Sequence, residues 1–394
     1  MGVGGNSRRR VVAAAGLVLA CVPAWGQPTN PVAEGGFGTA KYDRPIRPGP
    51  PQTGAAAHLQ APIMAQDLGS GGLAFYTANY ASLKGKQLAL NLVGTDPSLG
   101  AATTVIPTVI VPLKFIFPNA GNPTLDGTNV VPATVNSPIF LTADYVTGGV
   151  DLGVTQYGDA IQRAEFWNLP GFSTGYHVFL GAPTIASTVT ISVPAGLGNG
   201  FHLGGGGLVG VVDNSFFDQI LAALLPSYTA NQVPIFLTDN VFLGANGSIQ
   251  ACCTLGFHNS QSGPIATAQT WIYAGFTEPG TFAGDAILDV QALSHETAEW
   301  LNDPFVGGFP VGINLAPPAV LPGTGGMCII NFETGDPLES PPVVFTQVTN
   351  GTVYHLQDEV FLGWYLHSTP SFSVNGWFTY LNTFPSFSTL CGPG

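Results

Sequence analysis

Residues 293–305 read LSHETAEWLNDPF and place His295, Glu296, Glu299 and Asp303 within nine positions. On a helix, positions i and i+4 share a face, so His295 and Glu299 point the same way with Glu296 beside them. Imidazole nitrogen and carboxylate oxygen are both zinc ligands. The stretch therefore supplies two ligands from one helical turn. Glu296 stands where a general base would take a proton from a water activated by the metal. The pattern is His-Glu-x-x-His with Glu in the last place. A catalytic zinc needs a third protein ligand, and four residues are candidates: Asp303, Glu333 and Asp336 in NFETGDP, and His258 in CCTLGFHNS. Calcium is the less favoured ion: oxygen ligands would suit it, but no EF-hand spacing exists. The competing reading is a solvated helix face with His295 a hydrogen-bonded bystander.

The charge pattern bears on that choice. Charged residues make up 8% of the 394-residue chain, and residues 164–394 hold fifteen Asp or Glu but no Lys or Arg. A buried carboxylate needs a partner. In this half the partner has to be backbone amides, a helix N-terminus, a proton, a distant cation or a metal. The same imbalance excludes nucleic acid and anionic membrane as partners, since neither is attracted to an acidic surface.

The N-terminus, NSRRRVVAAAGLVLACVPAWGQ, has the basic start, short apolar run and small-residue cleavage site of an export signal, with cleavage expected before Gln27. Residues 27–70 are rich in Pro, Gly and Ala and read as a linker or propeptide. Four cysteines remain after cleavage: Cys252, Cys253, Cys328 and Cys391. In an exported protein they suggest disulfides. Because adjacent cysteines seldom bond each other, links from Cys252 and Cys253 to Cys328 and Cys391 are expected.

The elements that must hold the chemistry read as strands mixed with a few helices. Strands are expected in 103–117, broken by Pro, in 187–195, in 233–243 and in 270–276. Two helices are expected: 214–228, capped by Asn214 or Ser215, and 285–303, capped by Asp285 and stopped by Pro304. GFSTG at 171–175 matches a nucleophile-elbow pattern but lacks the strand before and helix after, so Ser173 reads as a loop residue. GGGG at 204–207 reads as a turn. The expectation is one strand-rich α+β domain over 71–394, with the metal-site half at about 210–394.

Taken in series, CCTLGFH, SHETAEWLNDP, ETGD, YHLQ and the final Cys391 resemble the Exordium (phosphate-induced protein) family and its bacterial secreted relatives. The likeness covers about residues 210–391. It implies an extracellular or wall-associated protein with a zincin-like helix, with His295, Glu299 and Glu333 as metal ligands and Glu296 as the base. The chain departs from the family where Pro337 and Leu338 follow ETGD in place of a cysteine. Two functions follow as expectations: a secreted zinc-dependent peptidase, or a non-catalytic extracellular or cell-surface protein with a structural metal. Either would meet an extracellular peptide or a cell-wall component. Oligomeric state is not legible.

Overall fold

The computed structural model describes residues 71–81, 87–203, 207–261, 264–306, 314–322, 328–339, 342–367, 372–384 and 388–391. The export signal, the 27–70 arm and most of the 204–207 turn lie outside the described residues.

A mixed sheet organises the molecule. Its five main strands are β1 (Thr108–Ile116), β2 (Val189–Ser192), β3 (Val233–Asp239), β4 (Gly256–Ser260) and β5 (Thr270–Phe276), in the spatial order β2-β1-β3-β5-β4. The first four of that order run parallel, and β4 is the antiparallel edge. Successive side chains of a strand face opposite ways. Accordingly Ile110, Ile235, Ile272 and Ala274 enter one apolar cluster, while Val109, Val111, Phe236 and Tyr273 enter another. Parallel strands buried on both faces need a layer on each.

Helix α2 (Asn214–Leu224) covers the second face through Phe217 and Leu221, and its first turn is capped by Asp213, whose Oδ1 accepts the Phe216 N–H at 3.1 Å. Helix α3 (Gln291–Asn302) covers the first face through Leu293, Ala298, Trp300 and Leu301. Trp300 Nε1 donates to Thr270 Oγ1 at 3.0 Å, pinning α3 to β5. Helix α1 (Tyr157–Glu165) lies against α3, where a Cβ on Gly158 would come within 2.6 Å of Leu301. All twelve residues of α3 are buried. Burial of its large apolar side chains contributes about 1.5–3 kcal/mol each, which offsets the cost of drawing His295, Glu296 and Glu299 out of water.

Four sequence expectations are corrected. Asp213, not Asn214 or Ser215, caps α2. Helix α3 starts at Gln291, not Asp285. Asp285 and Asp289 both take positive φ, which breaks a right-handed helix, and the Asp285 carboxylate accepts the Gly280 N–H instead of capping α3. The 233–243 segment is two strands in different sheets, divided at Asn240 with φ 49°. The disulfides join Cys252 to Cys253 and Cys328 to Cys391. The Cys252–Cys253 peptide is cis, which brings the two Cα atoms to 3.0 Å, while the Cα atoms of Cys328 and Cys391 lie 6.0 Å apart, inside the ordinary range. Residues 171–175 form a loop, with the Gly175 N–H donating to Ser173 Oγ at 3.2 Å. No helix among the described residues is long and apolar enough to cross a membrane.

One buried carboxylate outside the sheet face makes a clean test of this packing. Glu165 ends α1, and its Oε1 accepts the Leu362 N–H at 2.8 Å while Oε2 has no hydrogen-bond partner. Burial pushes its carboxyl up to about 7 from an ordinary 4.5. The folded protein therefore holds a proton that the unfolded chain releases. The stability this confers is full below pH 4.5 and is lost as pH rises through about 7. Glu165→Gln is expected to raise unfolding free energy by roughly 2–3 kcal/mol at pH 8 and to leave it nearly unchanged at pH 4. Denaturant melts at the two pH values check this, and equal effects at both would contradict it.

Candidate metal centre

The site lies where α3 crosses the β4 edge and meets the turn at 333–336. Helical spacing puts His295 and Glu299 on one face, as expected. Strand alternation adds His258. Phe257 packs toward the α2 side, so its neighbour His258 points toward α3, in register with Ile272 of β5. The turn is fastened by Glu299 itself. Its Oε1 accepts the N–H groups of Gly335 at 3.0 Å and Asp336 at 3.2 Å. Gln357 Nε2 holds the same turn from behind, donating to the Gly335 carbonyl at 2.8 Å. One oxygen of Glu299 thereby positions Glu333 and Asp336, and the other is left for chemistry.

That other oxygen, Oε2, lies 3.1 Å from His295 Nε2 and pairs with the ring when it is protonated. Both His295 ring nitrogens, Glu299 Oε2, Glu296 Oε1 and both Glu333 carboxylate oxygens are buried with no hydrogen-bond partner. Buried polar atoms are normally satisfied. Unpaired ligand atoms gathered in one buried cluster are a setting that a cation could satisfy. Two triads bring ligand atoms within 4.8 Å of one another: His295, Glu299 and Asp336, and His258, Glu299 and Glu333. Ligands on a tetrahedral zinc with arms of about 2.0–2.1 Å stand roughly 3.3 Å apart. The first triad brackets that spacing, with His295 Nε2 at 3.1 Å from Glu299 Oε2 and 3.7 Å from Asp336 Oδ1.

The sequence candidates thus divide. Glu299 belongs to both triads, His295 and Glu333 fall in different ones, and Asp336 and His258 each complete one. Asp303 stands behind His258 as support. It caps the C-terminus of α3, its carbonyl faces His258 Nε2 at 3.0 Å, and its Oδ1 accepts the Asn314 N–H at 3.0 Å. A carbonyl can only accept, so His258 Nε2 carries the proton. A carbonyl on one ring nitrogen is the arrangement that turns the opposite nitrogen into a ligand. Glu296 lies between the histidines, with Oε2 at 3.3 Å from His258 Nδ1 and Oε1 at 3.9 Å from His295 Nε2.

Among the described residues the cations are Lys114 and Arg163, and both are engaged elsewhere. Lys114 pairs with Asp126, and Arg163 donates to the carbonyls of Leu152, Thr174 and Tyr176. Burial, with the Glu299 charge adding, holds the carboxyls of Asp303, Glu333 and Asp336 well above the usual range. Burial raises Glu296 too. For Glu299 burial is outweighed by His295 and the turn amides, and its carboxyl sits low. For His295 burial is outweighed by Glu299 and Glu296, and its imidazolium is held well above the ordinary histidine range. Without a metal, protons must fill the site.

Two glycines that sequence reasoning passed over give the site its room. A Cβ on Gly335 would stand 2.4 Å from His295 Nδ1, and one on Gly256 would stand 2.6 Å from Glu296 Cγ. Their signal was their place inside ETGDP and CCTLGFH, beside the residues that attracted attention. Gly335 has φ −85°, which any residue adopts, so Gly335→Ala is a purely steric probe of the imidazole. It is expected to weaken zinc affinity at least tenfold, measured by chelator competition. Unchanged affinity would show that His295 is not a ligand.

Comparison of the chain with protein-family models, with curated proteins and with solved structures finds no match.

Proposed function

We propose that this is an exported zinc protein and a metal-dependent hydrolase of the peptidase kind, acting on an extracellular peptide. The observation that carries the proposal is the buried triad of His295, Glu299 and Asp336, whose ligand atoms lie within 4.8 Å of one another in a chain half that has no Lys or Arg. Imidazole with carboxylates suits zinc better than calcium, which takes oxygen ligands alone. His295, Glu299 and Asp336 would hold the ion. Bound there, zinc would supply a water acidified to a pKa of about 7. Glu296 Oε1, which no hydrogen bond occupies, would take up the proton from that water. Glu296 would then pass that proton to the leaving amine. The serial likeness to the Exordium family supports the exported setting.

A second reading is favoured by one observation: the side chains of His258, His295, Glu296 and Glu333 are all 0% exposed. The same centre would then be a structural metal in a non-catalytic surface or cell-wall protein. Peptide hydrolysis measured on the zinc-loaded protein separates the two. Turnover that is lost on chelation and restored by zinc supports the first, and no turnover with metal tightly bound supports the second.

A further inference from the structure

The centre offers more ligands than one ion can use. Around Glu299 lie the carboxylates of Glu296, Glu333 and Asp336, with Asp303, Glu339 and Glu359 close behind, all buried. One divalent cation neutralises only two negative charges. The ligand atoms fall into two triads with Glu299 common to both. Its Oε1 is committed to the Gly335 and Asp336 amides, so both triads must use Oε2. His295 Nε2 approaches that atom at 3.1 Å and His258 Nδ1 at 3.7 Å. Each triad has one imidazole and a carboxylate of its own, Asp336 with His295 and Glu333 with His258, the ligand atoms of each lying within 4.8 Å of one another. Glu333 has no hydrogen bond to either side-chain oxygen, although it is fully buried.

Resting on the zinc reading above, we propose that the site is dinuclear. Two divalent cations share Glu299 Oε2, one completed by His295 and Asp336, the other by His258 and Glu333. Such pairs, about 3.5–4 Å apart, are found in hydrolases, aminopeptidases among them. The sharing of one residue explains why Glu299 is the best-anchored carboxylate of the cluster. It also explains the burial of Glu333, which a single ion at His295 leaves without a partner.

The test uses the full mature chain, stripped with a chelator, reloaded with Mn2+ and freed of excess. Metal analysis is expected to give two ions per chain, and electron paramagnetic resonance an exchange-coupled spectrum in place of the isolated six-line Mn2+ signal. Glu333→Gln and Asp336→Asn are each expected to halve the stoichiometry and restore the isolated signal. One ion per chain in the unaltered protein, with an isolated signal, overturns the dinuclear proposal and leaves the one-zinc reading standing. No bound ion after loading with Zn2+ in a parallel sample removes both. Two ions without coupling overturn the shared Glu299. The measurements on the unaltered chain decide the matter even where a variant fails to fold.

Discussion

Exhaustive chelation of the metal-loaded protein is expected to lower its Tm by about 5–10 °C, an effect of about 5 kcal/mol in a chain of this size. The reason lies in what the metal-free fold must tolerate. Glu296, Glu299, Glu333 and Asp336 are buried around two histidines, and no Lys or Arg follows Arg163 in the chain. Removing the partner of a buried charge costs about 3–5 kcal/mol, because the remaining charge is neither solvated nor paired. Protons substitute only in part. The carboxyls of Asp303, Glu333 and Asp336 are raised, so the folded metal-free protein binds protons that the unfolded chain releases. That contribution to stability is full below the ordinary carboxylate range and is lost as pH rises through the raised values. Metal-free protein is therefore expected to lose Tm between pH 5 and pH 8 more steeply than the loaded form. Scanning calorimetry with and without chelator at both pH values checks this. A Tm indifferent to chelation would mean the cluster is held by protons alone.

Glu296→Gln is expected to retain the metal and lower peptide hydrolysis by about 10²–10⁴-fold. Glutamine has the shape of glutamate, so the close contact with Gly256 survives, and the proposed ligands His295, Glu299 and Asp336 are untouched. What is lost is an acceptor for the proton at Oε1, the atom without a hydrogen bond. A binding role for Glu296 would show instead as lost metal, and a packing role as a lowered Tm. Steady-state kinetics on a casein-type substrate, with metal content measured on the same sample, separates these outcomes. Hydrolysis that survives the substitution would remove Glu296 from the reaction.

The parts of the site that follow local rules were legible in the sequence. Three-residue and four-residue spacings put His295, Glu296 and Glu299 on one buried turn, and the charge count forecast that their partner would not be Lys or Arg. The runs rich in β-branched and aromatic residues at 103–117, broken by Pro, and at 270–276 read as strands, which the fold contains. What stayed hidden depends on long-range register. His258 was only one of four possible third ligands. Nothing local says that β4 is the antiparallel edge beneath α3, or that the Asp303 carbonyl would fix its ring. The division of His295 and Glu333 between two triads follows from Glu299 anchoring the 333–336 turn through backbone amides, which no side-chain pattern encodes. The start of α3 was misread because Asp285 has the right chemistry for a cap. Its positive φ comes from the turn it makes with Gly280.

The central claim is that a divalent metal belongs in this cluster. Elemental analysis of protein purified without added metal or chelator tests it most directly. The account predicts at least one tightly held zinc per chain, lost together with thermal stability when a strong chelator is added. Protein that emerges metal-free, fails to take up zinc, and melts at the same temperature throughout would contradict it.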